Sequence, residues 1–557
     1  MNLFEAIFTQ APLDRAAIFY EQRQISYAQV RDQTLTAARV LRELKVDRGE
    51  RVALLLNDSP EFIASFIAIC SSGAIAVPIN MGLRLEEQRA ILNDCTAKFA
   101  IIEASLGDAL LADAPAKLPH LKELVAVSRD DDQRDLVTVI QRAHRESREE
   151  IGGTSTIASF AALMDQAKAS MQDHPSQMRF PEPADNQPAF ILYTSGSTGE
   201  PKGAVHRQAD IFYTNETYCR EVLRLRQGDR LFSSSRLPFA YGFGNSFTFP
   251  LLNGGTTILC REKPKPEVIS QVLAEYKPTV FFAVPVVYRL LLDHHQDHTQ
   301  GPGLDCSSLR LCISAGEALP AHLGEEWKKT FGVEVLDGIG STEMLHMWMS
   351  NHEGEVRYGS SGKLLEGYEA RLLDQEGTST AGSAEGNLWV KGASAALGYW
   401  KRPDTTAGTF VDGWVRTGDL YRNDANGYWY HMGRSDDCFK SSGQWVSPVE
   451  VEGVLLRYQG VSRAAVVEAF DVDGLPCACA FIIREDVADD NLMFEEGLRE
   501  LARASMPPFK RPRQYVFVDE LPYTTTGKIQ RFKLRERLRT VRSQTSNVQS
   551  QASANNH

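Results

Sequence analysis

The sequence lacks three features that would set it apart from an ordinary intracellular globular protein. Its N-terminus, Met1–Phe8, has neither a basic segment nor a long apolar run, so we expect no signal peptide. The most membrane-like stretch, 62–79, is interrupted by Gly73 and Pro78, so we predict no integral membrane segment. The nine cysteines are scattered without zinc-ligand spacing, which indicates reduced thiols in a cytoplasmic protein.

The sequence also lacks an excess of positive charge. It carries 60 Lys and Arg against 72 Asp and Glu, a formal net charge of −12 at pH 7. This balance argues against general nucleic-acid binding, and an anionic ligand would need local positive sites. No internal repeat is evident, and a chain of 557 residues is too long for one core, so we predict two or more domains.

Hydrophobic patterning predicts an α/β fold. In residues 1–125 and 268–313, short apolar runs alternate with segments of helical periodicity, which is typical of a mixed or mostly parallel sheet flanked by helices. Residues 359–432 are richer in glycine and short strand patterns, which indicates a β-rich subdomain. Segment 437–540 fits a small α+β domain, and the polar tail 541–557 is predicted to be disordered.

The region 129–185 shows no pattern that indicates a function. Residues 129–150 are heavily charged with mixed signs, which predicts a solvated excursion rather than a binding patch. We expect residues 152–185 to form a further surface connection.

The most informative stretch is Tyr193–Gly203, which reads YTSGSTGEPKG. It follows the apolar run 189–192, a predicted buried strand, and its glycines allow close backbone approach beside several hydroxyl side chains. Backbone N–H groups in such a loop, with Lys202 at its end, form a cradle for phosphate oxygens. The Walker A pattern is not matched, because Pro201 stands where that pattern requires glycine. The predicted phosphate-binding residues are Thr194, Ser195, Gly196, Ser197, Thr198, Gly199 and Lys202.

Two further loops, 314–320 (SAGEALP) and 337–343 (DGIGSTE), follow predicted strands. Ligands of open α/β sheets bind at the carboxyl ends of the strands. We therefore predict that these two loops and the phosphate-binding stretch converge on one crevice.

Together these motifs closely resemble those of the adenylate-forming enzymes, a superfamily that includes acyl- and aryl-CoA synthetases, peptide-synthetase adenylation domains and luciferase. The resemblance covers nearly the whole chain, and its nearest branch is the benzoate-CoA ligases. It implies a large N-terminal domain, 1–435, and a small mobile C-terminal domain, 436–540, with a hinge at Asp436. It also implies an AMP-forming acid–thiol ligase that uses ATP, Mg²⁺ and CoA.

The resemblance implies roles for individual residues. Glu343 should ligate Mg²⁺, because a hard oxygen ligand beside a triphosphate suits that ion. Lys528, at the end of the motif PYTTTGK, should bridge the substrate carboxylate and the α-phosphate. The expected catalytic residues are therefore Lys528, Glu343 and Lys202. Asp419 should accept hydrogen bonds from both ribose hydroxyls, and Arg434 should reach the ribose or the phosphates. The other implied ATP-binding residues are Ala315, Gly316, Glu317, Asp337, Gly338 and Thr342, and the implied CoA-binding residues are Ser442, Gly443 and Trp445.

The resemblance also implies where the acid binds. A small aromatic acid would lie in a slot with a glycine floor and aromatic walls. The implied substrate-binding residues are Ala240, Tyr241, Phe249, Gly340, His346 and Met347. Met347 departs from the branch, in which we expect isoleucine or a similar residue. Methionine is longer and more adaptable, which admits a substituted benzoate or a non-benzoate acid.

Several of these residues have a simpler structural interpretation. Glu343 would then be a solvated helix cap, and His346 a structural histidine. Arg434 and Asp436 would form surface ion pairs of little energetic weight. Lys528 would belong to the basic stretch that follows it. In that stretch we interpret three side chains as solvated, namely Arg531, Lys533 and Arg535.

We therefore expect an enzyme that activates benzoate or a substituted aromatic acid with ATP to an acyl-AMP and then transfers the acyl group to CoA. The sequence leaves open an aliphatic acyl-CoA synthetase and an adenylating enzyme that loads a carrier-protein phosphopantetheine. A nucleotide-binding protein without activity is disfavoured, because every motif residue needed for the chemistry is present. The expected partners are a small carboxylic acid, ATP and CoA, and not nucleic acid. A homodimer and a carrier protein both stay open.

Overall fold

Strands and helices of the computed structural model follow the hydrophobic pattern of the sequence. The structure describes residues 1–111, 117–128, 156–173, 178–195, 201–297, 303–374, 385–441, 444–471, 474–485, 491–523 and 529–538. It divides into two units, of which the first contains residues 1–369 and 390–415, and the second contains residues 370–389 and 416 onwards. The predicted domain boundary and hinge at Asp436 lie inside the second unit and stay predictions.

The strands are short, as expected for an α/β protein. In chain order the described strands are β1 (Ala16–Tyr20), β2 (Arg23–Ser26), β3 (Arg51–Leu55), β4 (Ile75–Pro78), β5 (Phe99–Glu103), β6 (Glu123–Val127), β7 (Thr156–Ser159), β8 (Phe190–Ser195), β9 (Pro201–His206), β10 (Arg230–Ser233), β11 (Thr256–Leu259), β12 (Val280–Ala283), β13 (Leu311–Ser314), β14 (Val335–Gly340), β15 (Met347–Ser350), β16 (Lys363–Leu364), β17 (Glu369–Leu373), β18 (Glu385–Lys391), β19 (Phe410–Val411), β20 (Trp414–Asn423), β21 (Trp429–Arg434), β22 (Phe439–Ser441), β23 (Gln444–Val446), β24 (Val461–Phe470), β25 (Pro476–Arg484) and β26 (Gln514–Phe517).

The helices connect these strands. In chain order the described helices are α1 (Leu3–Phe8), α2 (Tyr27–Glu43), α3 (Pro60–Ser71), α4 (Leu85–Asp94), α5 (Gly107–Leu111), α6 (Phe160–Asp173), α7 (Gln208–Thr214), α8 (Ala240–Phe243), α9 (Phe249–Leu252), α10 (Pro266–Tyr276), α11 (Pro285–Asp297), α12 (Ala321–Phe331), α13 (Pro403–Thr409), α14 (Pro448–Leu455), α15 (Asn491–Ser505) and α16 (531–538). A π-helical segment, Asn215–Leu223, continues α7, and a second one, Gly244–Thr248, joins α8 to α9.

Two large sheets form the body of the first unit. One has seven strands in the order β7-β6-β5-β3-β4-β8-β9, and its pairs are parallel except for the hairpin β8–β9. The other has nine strands in the order β16-β15-β14-β13-β12-β10-β11-β1-β2, with parallel pairs from β1 to β14 and antiparallel strands at both edges. This architecture confirms the predicted α/β fold with mixed and parallel sheets.

Helix α3 explains why the stretch 62–79 looks membrane-like. The Ser59 side chain accepts a hydrogen bond from the Phe62 amide and caps the helix, and Pro60 occupies its first position, where a missing N–H costs nothing. All but one of its residues are buried, because it packs inside the protein on every side. None of the described helices is long and apolar enough to cross a membrane.

The prediction that 152–185 is a surface connection is wrong for its middle part. Residues 156–159 form β7, which pairs in parallel with β6, and the following helix α6 buries Phe160 and Ala167. The short run Thr156–Ser159 has too few apolar residues to stand out from the sequence alone. Residues 129–155, including the whole charged segment 129–150, lie outside the described residues.

The second unit confirms the predicted β-rich and α+β regions. Strands β17, β18, β20 and β21 belong to one sheet, and β24, β25 and β26 form a three-stranded sheet packed with α14 and α15. The tail 541–557 lies outside the described residues. All nine cysteines are free thiols, and all are buried except the half-buried Cys260.

The interpretation of the basic C-terminal stretch as solvated is wrong for two of its three residues. Arg531 donates two hydrogen bonds of 2.8 Å from Nη2 to the Glu452 carboxylate, and Arg535 Nη1 lies 2.8 Å from Asp437 Oδ1. Their side chains are only 14% and 23% exposed, so these pairs are structural contacts inside the second unit. Lys533 is exposed, as expected.

Candidate active site

The phosphate-binding stretch forms a hairpin at the edge of the seven-stranded sheet. Strands β8 and β9 pair antiparallel, with Thr194 opposite Lys202 and Ser195 opposite Pro201. The apolar run before the loop is a buried strand, as predicted, whereas β9 was not predicted. The tip of the hairpin lies outside the described residues, and with it four of the predicted phosphate-binding residues, Gly196, Ser197, Thr198 and Gly199.

A segment from much later in the sequence, residues 396–402, lies along β9, and we call it the strap. The Leu397 amide donates to the Val205 carbonyl at 2.8 Å, and the Trp400 amide donates to the Gly203 carbonyl at 2.8 Å. The strap therefore extends the hairpin like a further strand. A Cβ atom on Gly203 would lie 2.6 Å from Ile191 Cγ2 of β8, so glycine here leaves room for the side chains of the neighbouring strand of the hairpin.

The turn Thr342–Met344, which follows β14 of the nine-stranded sheet, meets the hairpin and the strap. The Tyr399 hydroxyl donates to Glu343 Oε1 at 2.6 Å, and Lys202 Nζ lies 5.8 Å from the centroid of the Tyr399 ring. The Ala396 amide of the strap donates to the Glu343 carbonyl at 2.8 Å. The predicted convergence of loops from different strands is therefore found for Lys202 and Glu343.

His206, at the end of β9, is a buried residue of this region that the sequence analysis missed. Its Nε2 lies 2.8 Å from the Thr342 carbonyl oxygen, and its Nδ1 lies 3.0 Å from Asp210 Oδ2. The ring stacks on Phe190 with centroids 5.2 Å apart. A histidine and an aspartate close together directly after the phosphate-binding motif are the signal that could have found this pair, although His206 ends β9 and Asp210 lies in the first turn of α7.

The two loops predicted to flank adenine are joined by Asp337. The Leu319 amide donates to Asp337 Oδ2 at 3.2 Å, and Asn351 Nδ2 donates to the Asp337 carbonyl at 3.0 Å. In the first loop Ala315 is buried, whereas two residues are exposed, namely Gly316 and Glu317. Burial raises the pKa of Asp337 to about 8, against the opposing effect of the Leu319 amide, so its carboxyl group is largely protonated at neutral pH.

This raised pKa makes the stability of the protein depend on pH. The folded state holds a proton on Asp337 that the unfolded state releases above pH 4, so stability is lost as pH rises towards 8. Asp337→Asn removes the titration but keeps an acceptor for the Leu319 amide. We expect the stability of the variant relative to the parent to rise by roughly 2–3 kcal/mol between pH 5.5 and pH 8.

Urea unfolding at several pH values measures this difference. The exposed Asp404→Asn provides the same change of charge at the surface and should follow the parent profile. Parallel profiles for Asp337→Asn and the parent would show that Asp337 is ionised in the folded protein.

The predicted acid-binding residues gather around His346. The centroid of its ring lies 4.7 Å from that of Phe249, 5.8 Å from that of Tyr241 and 4.8 Å from that of Tyr218. Nε2 of His346 lies 3.2 Å from Asn245 Oδ1, and burial lowers the pKa of the histidine to about 3, so its imidazole is neutral. Tyr218 and Asn245 were not predicted, although Asn245 stands in the run of glycines and aromatics at 237–247.

Glycines allow the backbone to approach this cluster. A Cβ atom on Gly244 would lie 2.5 Å from His346 Cδ2, and one on Gly340 would lie 2.6 Å from the His346 carbonyl oxygen. Gly244 therefore lets the backbone approach the imidazole ring, and Gly340 lets it approach the backbone of His346. Ala240 and Met347 are both buried, with Met347 at the start of β15.

The predicted ribose-binding residues lie together in the second unit. Asp419 and Arg434 are paired across β20 and β21, and Arg434 Nη1 donates to Asp419 Oδ1 at 3.0 Å and to the Thr417 carbonyl at 2.9 Å. Asp419 is buried, whereas the Arg434 side chain is 48% exposed, so this ion pair is only partly buried. Asp436 is exposed in the turn between β21 and β22.

The predicted CoA-binding and acid-activating residues are described only in part. Trp445 is half-buried in β23, with Lys440 Nζ 5.2 Å from its ring centroid. Ser442, Gly443 and Lys528 lie outside the described residues.

The first unit thus combines a glycine-rich hairpin, a lysine and a carboxylate at the ends of α/β strands, as in an enzyme that binds a nucleotide and activates an acid with it. Residues 4–400 match the family model described as AMP-binding enzyme, and residues 450–528 match the AMP-binding enzyme C-terminal domain. The chain therefore belongs to the AMP-binding enzyme family.

Characterised relatives refine this assignment. The chain is 38% identical to a benzoate–CoA ligase of Thauera aromatica over 87% of this chain and 85% of the relative. It is 35% identical to a 4-hydroxybenzoate–CoA/benzoate–CoA ligase of Rhodopseudomonas palustris over 94% and 90%. The crystal structure of the anthranilate CoA ligase AuaEII in complex with anthranoyl-AMP superposes with a TM-score of 0.85 and 34% identity, covering 98% of both chains. The predicted resemblance and the predicted class, an AMP-forming acid–CoA ligase, are confirmed.

Proposed function

We propose that this protein activates a benzoate-type acid with ATP to an acyl-AMP and transfers the acyl group to CoA. The observation that carries the proposal is the aromatic cluster around the neutral His346, three residues after Glu343 on the same segment. An aromatic ring bound there would place its carboxylate near the residues assigned to the phosphates. The relatives named for benzoate, hydroxybenzoate and anthranilate support an aromatic acid.

We assign the phosphate and metal side of the site to Lys202 and Glu343. The described residues contain no cluster of three or more His, Cys, Asp or Glu side chains that could hold a metal ion by itself. A single half-buried carboxylate fits Mg²⁺, which takes one or two protein carboxylates and its other ligands from phosphate and water. When bound, Mg²⁺ would neutralise charge on the triphosphate and on the leaving pyrophosphate.

In the first step a carboxylate oxygen attacks the α-phosphorus of ATP, and pyrophosphate leaves. Both reactants are anions, and we assign to Lys528 the charge that offsets their repulsion. Asp337 and its neighbours would contact the adenine, and Asp419 the ribose, which holds the α-phosphate in line for attack. In the second step the CoA thiol attacks the acyl carbon, AMP leaves, and the small domain would rotate about Asp436 between the steps.

Three further properties remain part of the proposal. A cytoplasmic location is supported by the nine free thiols, which suit a reducing compartment. A homodimer is compatible with the sequence but has no further support. A carrier protein in place of CoA is the alternative acceptor that the test below separates.

The proposal is tested by a screen of acids in two assays, ATP–pyrophosphate exchange and thioester formation with CoA. We expect benzoate and small substituted benzoates to support both. Aliphatic acids of similar size should be poorer in kcat/KM by about 10–100-fold, the discrimination that an apolar pocket typically provides. Exchange without thioester would favour loading of a carrier protein, and preference for aliphatic acids would contradict the aromatic pocket.

A further inference from the structure

Tyr399 of the strap contacts both charged residues on the phosphate side of the site. Its hydroxyl donates to Glu343 Oε1 at 2.6 Å, and the Lys202 ammonium lies 5.8 Å from the centroid of its ring. The tyrosine thus makes two different contacts at the same time. Its hydroxyl forms a hydrogen bond with a carboxylate, and its ring face makes a cation–π contact with an ammonium group.

The position of Tyr399 is fixed by the backbone around it. The Trp400 amide donates to the Gly203 carbonyl at 2.8 Å, and the Val205 amide donates to the Gly398 carbonyl at 2.9 Å, so both neighbours of Tyr399 are bound to β9. The Tyr399 amide itself donates to the Thr406 hydroxyl at 2.9 Å. A side chain held in this way can orient its partners rather than follow them.

The two partners carry opposite charges, and a direct ion pair between them would be unproductive for a nucleotide. Lys202 and Glu343 form no direct ion pair within 4.0 Å in the part of the chain that the structure describes. Such a pair would neutralise the lysine that the phosphates need and occupy the carboxylate that the metal needs. Tyr399 instead gives each group a separate partner of modest strength.

We propose that Tyr399 is a positioning residue for the triphosphate and its metal ion: its hydroxyl orients the Glu343 carboxylate, and its ring holds Lys202 apart from that carboxylate. The inference rests on the proposed roles of Glu343 and Lys202. The strap would then help to build the phosphate side of the site, although it lies well after Met347, the last predicted acid-binding residue in the sequence.

Two substitutions separate the functions of the hydroxyl and the ring. Tyr399→Phe keeps the ring and removes the hydrogen bond, so the Mg²⁺ concentration for half-maximal ATP–pyrophosphate exchange should rise about tenfold, as for other groups that orient a metal ligand. The KM for the acid and the rate of thioester formation from supplied acyl-AMP should stay the same. Tyr399→Leu should also raise the KM for ATP at saturating Mg²⁺, because Lys202 loses its ring partner.

A binding measurement provides a readout that does not depend on turnover. ATP should raise the melting temperature of the parent more with Mg²⁺ than without it, and Tyr399→Phe should lose most of this Mg²⁺-dependent part. Tyr368→Phe is the matched control, since it removes a buried hydroxyl that is hydrogen-bonded to Ser394 at 2.9 Å in the same unit. The control should match the parent in both assays.

Glu343→Gln distinguishes failure of this inference from failure of the proposed function. If Glu343→Gln raises the Mg²⁺ requirement and Tyr399→Phe does not, the positioning role is overturned while the metal role of Glu343 stands. If Glu343→Gln leaves the Mg²⁺ requirement unchanged, both assignments fail. The double variant should need no more Mg²⁺ than Glu343→Gln alone, and an additive increase would show that Tyr399 acts on something other than this carboxylate.

Discussion

Lys528→Ala should reduce ATP–pyrophosphate exchange by about 10²–10³-fold, because a positive charge aimed at the reacting anions typically contributes this much. The substrate carboxylate and the α-phosphate are both negative, and in a site with little water their repulsion opposes the first step. The second step starts from an acyl-AMP in which these groups are already joined. Thioester formation from supplied acyl-AMP should therefore fall by much less than the exchange.

The matched control for this prediction is Lys533→Ala, which removes the same charge from an exposed position on α16. It should leave both steps close to the parent. The two assays are run on the same preparations, with melting temperatures to confirm folding. An equal loss of both steps in Lys528→Ala would remove Lys528 from the role of carboxylate activator.

Asp436→Pro should slow thioester formation while leaving the exchange reaction nearly intact. Proline fixes φ near −65°, so a second backbone conformation with a different φ at this position would be penalised by about 1–3 kcal/mol, roughly 5- to 150-fold in rate. The Asp436 amide makes no hydrogen bond within the residues that the structure describes, so proline removes no contact there. Residue 436 is the third residue of a turn that the Asp437 amide closes on the Arg434 carbonyl at 3.0 Å, a position where proline restricts the residue before it, so the melting temperature of the variant is compared with that of the parent.

Asp436→Ala is the control, since it removes the carboxylate but leaves φ free. It should behave like the parent in both half-reactions, measured as exchange and as single-turnover conversion of acyl-AMP with CoA. If Asp436→Pro also leaves the second half-reaction unchanged, the hinge lies elsewhere, and the division between the two units near residue 416 becomes the next position to test.

Local sequence pattern was sufficient for the elements that are apolar and bounded by clear signals. The strands β3, β4 and β5 and the helix α3 follow from short buried runs, a serine cap and a proline at the first helical position. Strand β7 was missed because an edge strand of four residues with two hydroxyl side chains has no distinct hydrophobic period.

Contacts between distant parts of the sequence could not be predicted in the same way. Arg531 pairs with Glu452, which is 79 residues away in the sequence. Its position in a basic segment predicted a solvated side chain, because nothing nearby in the sequence indicates the carboxylate that binds it. Tyr399 reaches Glu343 because the strap pairs with β9. Backbone hydrogen bonds set the register of this pairing, and no sequence motif predicts it. Within the aromatic cluster, Tyr241, Phe249 and His346 were predicted only because the resemblance to a known family named them, and Tyr218 was missed.

The free cysteines have a practical consequence for following the two half-reactions in solution. Burial raises the pKa of Cys70, Cys95 and Cys312, among others, so little thiolate is available at neutral pH and alkylating dyes should react slowly. Only Cys260 is not fully buried. Replacing this one residue should leave a nearly silent background, on which a pair of engineered surface thiols can carry fluorophores for distance measurements during turnover.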